Sequence, residues 1–219
     1  MKNIKAIIFD CDGTLLDSER IYMGTWETVA KPMGYDVPME ILLDNRGKGK
    51  EYGRANLLRV MGDDFPLEEI NRIREIANEE AFYAAENIVK PGVIELLDWM
   101  KENGILAAVA SARSKKITSE HLQHGGLLEY FDVVVGGDMV KRNKPDPDSF
   151  LMAAKLLGVP ASECLVIGDT KSDMKAAQVS GMKRAFVPDL INVDDEVIEM
   201  SSVVLQRIDE IISLMKGNI

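Results

Sequence analysis

Ile4-Lys5-Ala6-Ile7-Ile8-Phe9-Asp10-Cys11-Asp12-Gly13-Thr14 is an apolar run, broken only by Lys5, that stops abruptly at two aspartates and a Gly-Thr pair. Continuous apolarity without alternation is what a strand needs when helices cover both faces of its sheet. Four later runs have the same character: Ile105 to Ala110, Asp132 to Val135, Cys164 to Ile167 and Ala185 to Val187. Helix-type segments separate them. Pro91 and Gly92 open one that Gly104 closes, Gly125 and Gly126 stop another, and Gly158 and Gly181 end two more. The pattern predicts an α/β fold with a doubly wound, Rossmann-like parallel sheet.

The distance from the first run to the second is too long for an ordinary crossover, which needs only a helix and two short loops. An insertion is therefore expected at 16–90, leaving 1–15 and 91–219 as the α/β core. The inserted stretch has no apolar β-runs. It spaces Trp26, Val29 and Met33, and then Leu67, Ile70, Ile73, Ile76 and Ala77, as helices do. Pro32, Gly34 and Pro38 separate its first helix from the next, and Pro66 stands where a first helical residue would. A small α-helical subdomain follows. Leu205, Ile208, Ile211, Ile212 and Met215 predict a last helix on the flank of the sheet.

The 219 residues carry 26 basic and 36 acidic side chains, a net charge of -10, and are 46% hydrophobic. That composition suits a folded globular chain and opposes general binding to nucleic acid, whose phosphates a negative field repels. The longest apolar runs, Ala6 to Phe9 and Ile105 to Ala110, are far too short to span a membrane. Cys11 and Cys164 make no disulfide framework and read as reduced thiols, which points to the cytoplasm. A monomer or weak homodimer is expected.

In open α/β sheets ligands bind beyond the carboxyl ends of the strands. Behind the runs stand Asp10-Cys11-Asp12-Gly13-Thr14, then Ser111, then a loop reaching Lys144-Pro145-Asp146-Pro147, then Gly168-Asp169-Thr170-Lys171-Ser172-Asp173. Folding would bring carboxylates, a hydroxyl and an ammonium to one edge. Two unit charges about 4 Å apart repel by roughly 4 kcal/mol at an effective dielectric of 20, so a cation must offset the cluster. Oxygen ligands without His or Cys suit a hard ion, and few carboxylates with room for water and phosphate oxygens suit Mg²⁺ better than Ca²⁺. With a lysine and a hydroxyl nearby, the compatible chemistry is phosphoryl transfer at a nucleophilic carboxylate.

These motifs in this order resemble the four motifs of the haloacid dehalogenase superfamily: Asp10 to Thr14 after a strand, Ser111, Lys144 before Pro-Asp-Pro, and Gly168-Asp169 with Asp173. The resemblance covers the whole chain. The insertion looks like the helical cap of phosphatases and phosphomutases related to beta-phosphoglucomutase. The resemblance implies a Mg²⁺-dependent phosphomonoester hydrolase in which Asp10 is esterified as an aspartyl phosphate and Asp12 exchanges protons with the leaving oxygen and then with water. It assigns Mg²⁺ to the carboxylates of Asp10 and Asp169 and the backbone carbonyl of Asp12, with Asp173 ligating directly or through water. Ser111, the amides beginning at Ala112, and Gly13, Thr14 and Lys144 would handle the phosphoryl group, Gly13 by letting the chain turn tightly beside it. Compared with the mutase, Tyr22 replaces a cap histidine and Gly168 a metal-binding glutamate, which favours a phosphatase. A receiver-like phosphorylatable module is the alternative from another class, but the insertion and the DxDGT sequence oppose it.

The local basic cluster Arg46, Lys48, Lys50 and Arg54 is a solvated helix start or a clamp for a second anionic or hydroxyl-rich part of a small sugar phosphate or phosphorylated acid, with Arg46 and Lys48 the residues named for the clamp. Gly47, Gly49 and Gly53 match no nucleotide loop and read as a turn between helices. His121 and His124 have no third metal ligand in reach and read as surface residues.

Overall fold

A computed structural model describes residues 3–46, 50–190 and 193–217. Among these, β1 (Ala6–Phe9), β2 (Leu106–Ala110), β3 (Val133–Val135), β4 (Cys164–Gly168), β5 (Lys183–Phe186) and β6 (Val203–Val204) form one sheet in the order β3-β2-β1-β4-β5-β6. Every pairing is parallel. The expected doubly wound α/β fold is present, with one strand more than the five apolar runs. β6 has two residues at the sheet edge, too short to leave a periodic signal. β5 begins on Lys183 and Arg184, whose charges hid its start, since only Ala185 and Phe186 are buried.

The helices are α1 (Ser18–Ala30), α2 (Met39–Asp44), α3 (Lys50–Met61), α4 (Leu67–Ala84), α5 (Val93–Glu102), α6 (Lys115–His124), α7 (Asp148–Leu157), α8 (Lys171–Val179), α9 (Asp195–Met200) and α10 (Ile211–Lys216). Alternate strand residues fill opposite faces. Ala6 and Ile8, Ala108 and Ala110, and Cys164 and Val166 pack with Phe150 and Ala153 of α7 and Ala176 of α8. Ile7, Phe9, Val109, Leu165 and Ile167 face the other way and are equally shut from solvent. Burial on both faces explains the unbroken apolar runs.

The chain divides into two compact units, Met1–Leu16 with Val89–Ile219, and Asp17–Ile88. The second is helical. Val29, Leu42, Leu57, Phe65, Leu67 and Ile70 form its core, with Trp26, Met33 and Ala77 packed against them. α4 is helical as its spacing predicts, yet Ile76 is 63% exposed, so its inward stripe is narrower than the apolar spacing suggests. His121 corrects another expectation: it is fully buried, together with Thr118 and Leu122 on one side of α6, while His124 is exposed. Gly53 lies within α3 and not in a turn; Gly47 and Gly49 lie outside the described residues. Cys11 and Cys164 are buried free thiols. Among the described residues no helix is long and apolar enough to cross a membrane.

Candidate active site

The strand register brings the acidic motifs together. Phe9 pairs with Val109 on one side and Ile167 on the other, so the chain leaves β1, β2 and β4 at the same edge, where the strand order reverses. Asp10, Ser111 and Asp169 occupy that edge and are all buried. α8 adds Asp173 from its first turn. The Thr170 hydroxyl accepts from the Asp173 amide at 3.2 Å, and the Asp173 carboxylate accepts from the Thr170 amide at 3.1 Å. This capping box anchors Asp173.

Asp10, Asp169 and Asp173 each offer a carboxylate oxygen, all within 4.8 Å of one another, and all three residues are buried. Lys144 reaches into the cluster from the loop before α7. Its Nζ donates to Asp10 Oδ1, to Asp173 Oδ1 at 2.7 Å and to the Ala110 carbonyl at 3.2 Å. The Phe150 ring lies 5.4 Å from the same ammonium. Burial pulls the Lys144 ammonium down, but the charges of Asp10 and Asp173 outweigh it and hold the group above its usual value. Burial pushes the Asp10 carboxyl up to about 7; Lys144 acts against the shift and Asp173 adds to it. Buried charge is tolerated only when paired, and one ammonium among three carboxylates leaves the pocket short of positive charge.

The other site residues have specific places. Thr14 Oγ1 donates to Asp169 Oδ1 at 3.1 Å, so this hydroxyl serves the carboxylate cluster. Gly13 has φ +84°, and a Cβ there would lie 2.5 Å from Asp169 Oδ2. The close approach that requires glycine is therefore to Asp169. At Gly168 a Cβ would come within 2.6 Å of Asp173 Cβ. Ser111 Oγ accepts from the Arg113 amide at 3.1 Å. Gly137 packs so closely on Ala112 that a Cβ would sit 2.4 Å from the Ala112 carbonyl oxygen.

Arg113 was missed in the sequence. Its Nε donates to Asp12 Oδ2 at 2.8 Å, across 101 positions of chain. The available signal was an arginine two residues beyond Ser111, at the end of a strand neighbouring the one that carries Asp12.

In the inserted unit, the Arg46 side chain is 9% exposed and its guanidinium pairs with Glu19. Arg54 pairs with Glu68. Lys48 lies outside the described residues. Arg74, unweighed in the sequence, stacks 3.8 Å over the Trp26 ring and donates to the Tyr22 carbonyl at 2.8 Å. It lines a cleft with Arg54, Leu57, Glu68, Asn71 and Asn78.

Fold and site define an α/β protein with an acidic, lysine-bearing pocket at its topological switch point. Residues 7–187 match the haloacid dehalogenase-like hydrolase family, and the chain belongs to that family. It is an enzyme of the phosphatase type, a phosphoric monoester hydrolase. The chain is 30% identical over 216 residues to a phosphorylated carbohydrates phosphatase of Thermotoga maritima, covering 97% of this chain and 99% of that one. It is 31% identical over 186 residues to a phosphoglycolate phosphatase of Pseudomonas savastanoi pv. phaseolicola, covering 81% of this chain and 67% of the relative. The crystal structure of a beta-phosphoglucomutase from Clostridium difficile superimposes with a TM-score of 0.72 at 26% identity, covering 94% of this chain and 92% of that one.

Proposed function

We propose that the protein hydrolyses the phosphomonoester of a small metabolite, a sugar phosphate or a phosphorylated acid, through an aspartyl phosphate on Asp10. The observation that carries this reading is the placement of Lys144 between the carboxylates of Asp10 and Asp173, with Asp169 completing the buried cluster.

An Oδ atom of Asp10 attacks phosphorus, and the bond from phosphorus to the leaving oxygen breaks. Asp12 gives its proton to that oxygen. Water then attacks the phosphorus of the aspartyl phosphate, Asp12 takes a proton from the water, and the bond to Asp10 breaks to release inorganic phosphate. Lys144 offsets the charge that Asp10 and the phosphoryl group share, while Ser111 and the amides from Ala112 onward receive phosphoryl oxygens. Oxygen donors alone and a deficit of positive charge fit Mg²⁺. The carboxylates of Asp10, Asp169 and Asp173 and the Asp12 carbonyl would hold it, and it would supply the positive charge that lets an anionic nucleophile meet an anionic substrate.

The reading includes a capping role for the inserted unit, with 16–90 choosing the substrate through the part beyond its phosphate. It also includes a cytoplasmic location and action as a monomer or weak homodimer. Arg46 enters such a clamp only if its pairing with Glu19 loosens, which makes Arg74 the better-placed cation beside the cleft. Hydrolysis is favoured over phosphomutase action at Gly168. A glutamate there, as in the mutases, would need the space that Asp173 fills.

Hydrolysis of p-nitrophenyl phosphate that requires Mg²⁺ and vanishes in Asp10→Asn is the expected result. Stable self-phosphorylation without phosphate release would instead favour a receiver-like module. A screen of phosphorylated metabolites ranked by kcat/KM then identifies the substrate, and conversion of β-glucose 1-phosphate to glucose 6-phosphate would favour the mutase.

A further inference from the structure

We infer that Arg113 is a positioning residue that holds the Asp12 carboxylate in place for both proton transfers; the inference rests on the reaction proposed above. Two cations divide the pocket. Lys144 binds Asp10 and Asp173, while Arg113 binds Asp12 with Nε 2.8 Å from Oδ2. Asp12 is the more exposed partner of its strand-end pair, its side chain 16% accessible against 10% for Asp10. A partly exposed aspartate has two torsions to fix, and proton transfer loses efficiency quickly when the donor drifts from hydrogen-bond reach.

The loop that delivers Arg113 is rigid by construction. Its amide donates to Ser111 Oγ at 3.1 Å, and its carbonyl accepts from the Gly137 amide at 2.6 Å. Two residues on, the Lys115 amide donates to Asp138 Oδ1 at 2.8 Å. Gly136 and Gly137 press against this loop so closely that a Cβ would lie 2.0 Å from the Lys115 nitrogen and 2.4 Å from the Ala112 oxygen. The backbone on both sides of Arg113 is thus tied to the end of β3, which places its side chain within hydrogen-bond reach of Asp12. A lysine would bring the charge without the planar fork.

A role through Asp12 has a signature that a general structural role lacks. Aryl phosphates with a good leaving group need no proton to depart, whereas alkyl phosphates do, and attack by water needs Asp12 in either case. With Mg²⁺ present, Arg113→Ala should release p-nitrophenolate in a single turnover, enzyme in excess, within about 3-fold of the wild-type rate. Its steady-state kcat on p-nitrophenyl phosphate and on an alkyl phosphate should fall by up to about 10²-fold, the scale of a misplaced catalytic group. On p-nitrophenyl phosphate KM should fall with kcat, leaving kcat/KM within about 3-fold of wild type; Arg113→Lys should recover part of the loss in kcat, and Arg113→Ala combined with Asp12→Asn should be no slower than Asp12→Asn alone. The lysine variant carries the test if the alanine variant does not fold. Equal slowing of single-turnover release and steady state, a raised KM with unchanged kcat, or a double variant showing the product of both losses would overturn the inference. Asp10→Asn separates the two levels. Wild-type turnover in that variant removes the proposed reaction itself, whereas an inactive Asp10→Asn beside a fully active Arg113→Ala removes only the role of Arg113.

Discussion

Asp10 and Gly13 show how closely the site depends on single atoms. Without metal, burial holds the Asp10 carboxyl up at about 7, against 3.8 in the unfolded chain. The folded state therefore keeps a proton that the unfolded state has shed. This contribution to stability is complete below the unfolded value and is lost as pH rises through about 7. A divalent cation favours the ionised carboxyl, so Mg²⁺ should raise the melting temperature more at about pH 8 than at about pH 5. Melting curves with Mg²⁺ or chelator at both pH values check this, and equal shifts would contradict it. Gly13→Ala should cost about 1–2 kcal/mol from the left-handed backbone alone, and the methyl would also crowd Asp169. Urea denaturation and Mg²⁺ titration should both register the change. The sequence singled out Gly13, Thr14 and Asp169 as residues of separate motifs. Their mutual contact was not legible there, because it joins positions 155 apart.

At the scale of elements, α7 couples the core to the site. Phe150 is fully buried against β-strand residues such as Ile8 and Val135, and its ring also faces the Lys144 ammonium. Phe150→Ala should lower stability by about 3–5 kcal/mol and reduce kcat by loosening Lys144, measured by denaturation and by steady-state hydrolysis. A stable variant with full activity would show that α7 does not position the lysine. Strands buried on both faces were readable because their apolarity is continuous. β6 was not, since two residues carry no period, and His121 was misplaced because three-residue spacing does not tell which side of α6 meets the sheet. Arg113 escaped notice for a related reason: its meaning lies in the pairing of β1 with β2, which no local pattern encodes.

For the whole molecule, a net charge of -10 and a buried trio of carboxylates should make stability depend on cations. At the proposed site Mg²⁺ would bind the folded cluster in preference to the unfolded chain, so melting should rise with Mg²⁺ concentration. Asp169→Ala should abolish that rise; a shift that persists would place the metal elsewhere. The division into an α/β unit and a helical insertion follows from the long stretch without β-runs. The choice of substrate is not legible in the same way, because the motifs at the strand ends concern only the phosphoryl group. The most direct measurement uses Asp12→Asn, in which the aspartyl phosphate should form but hydrolyse slowly. Reductive trapping with borohydride after incubation with p-nitrophenyl phosphate and Mg²⁺, followed by peptide mass spectrometry, should find the modification at position 10. Trapping at another residue, or none while phosphate is still released, would contradict the account.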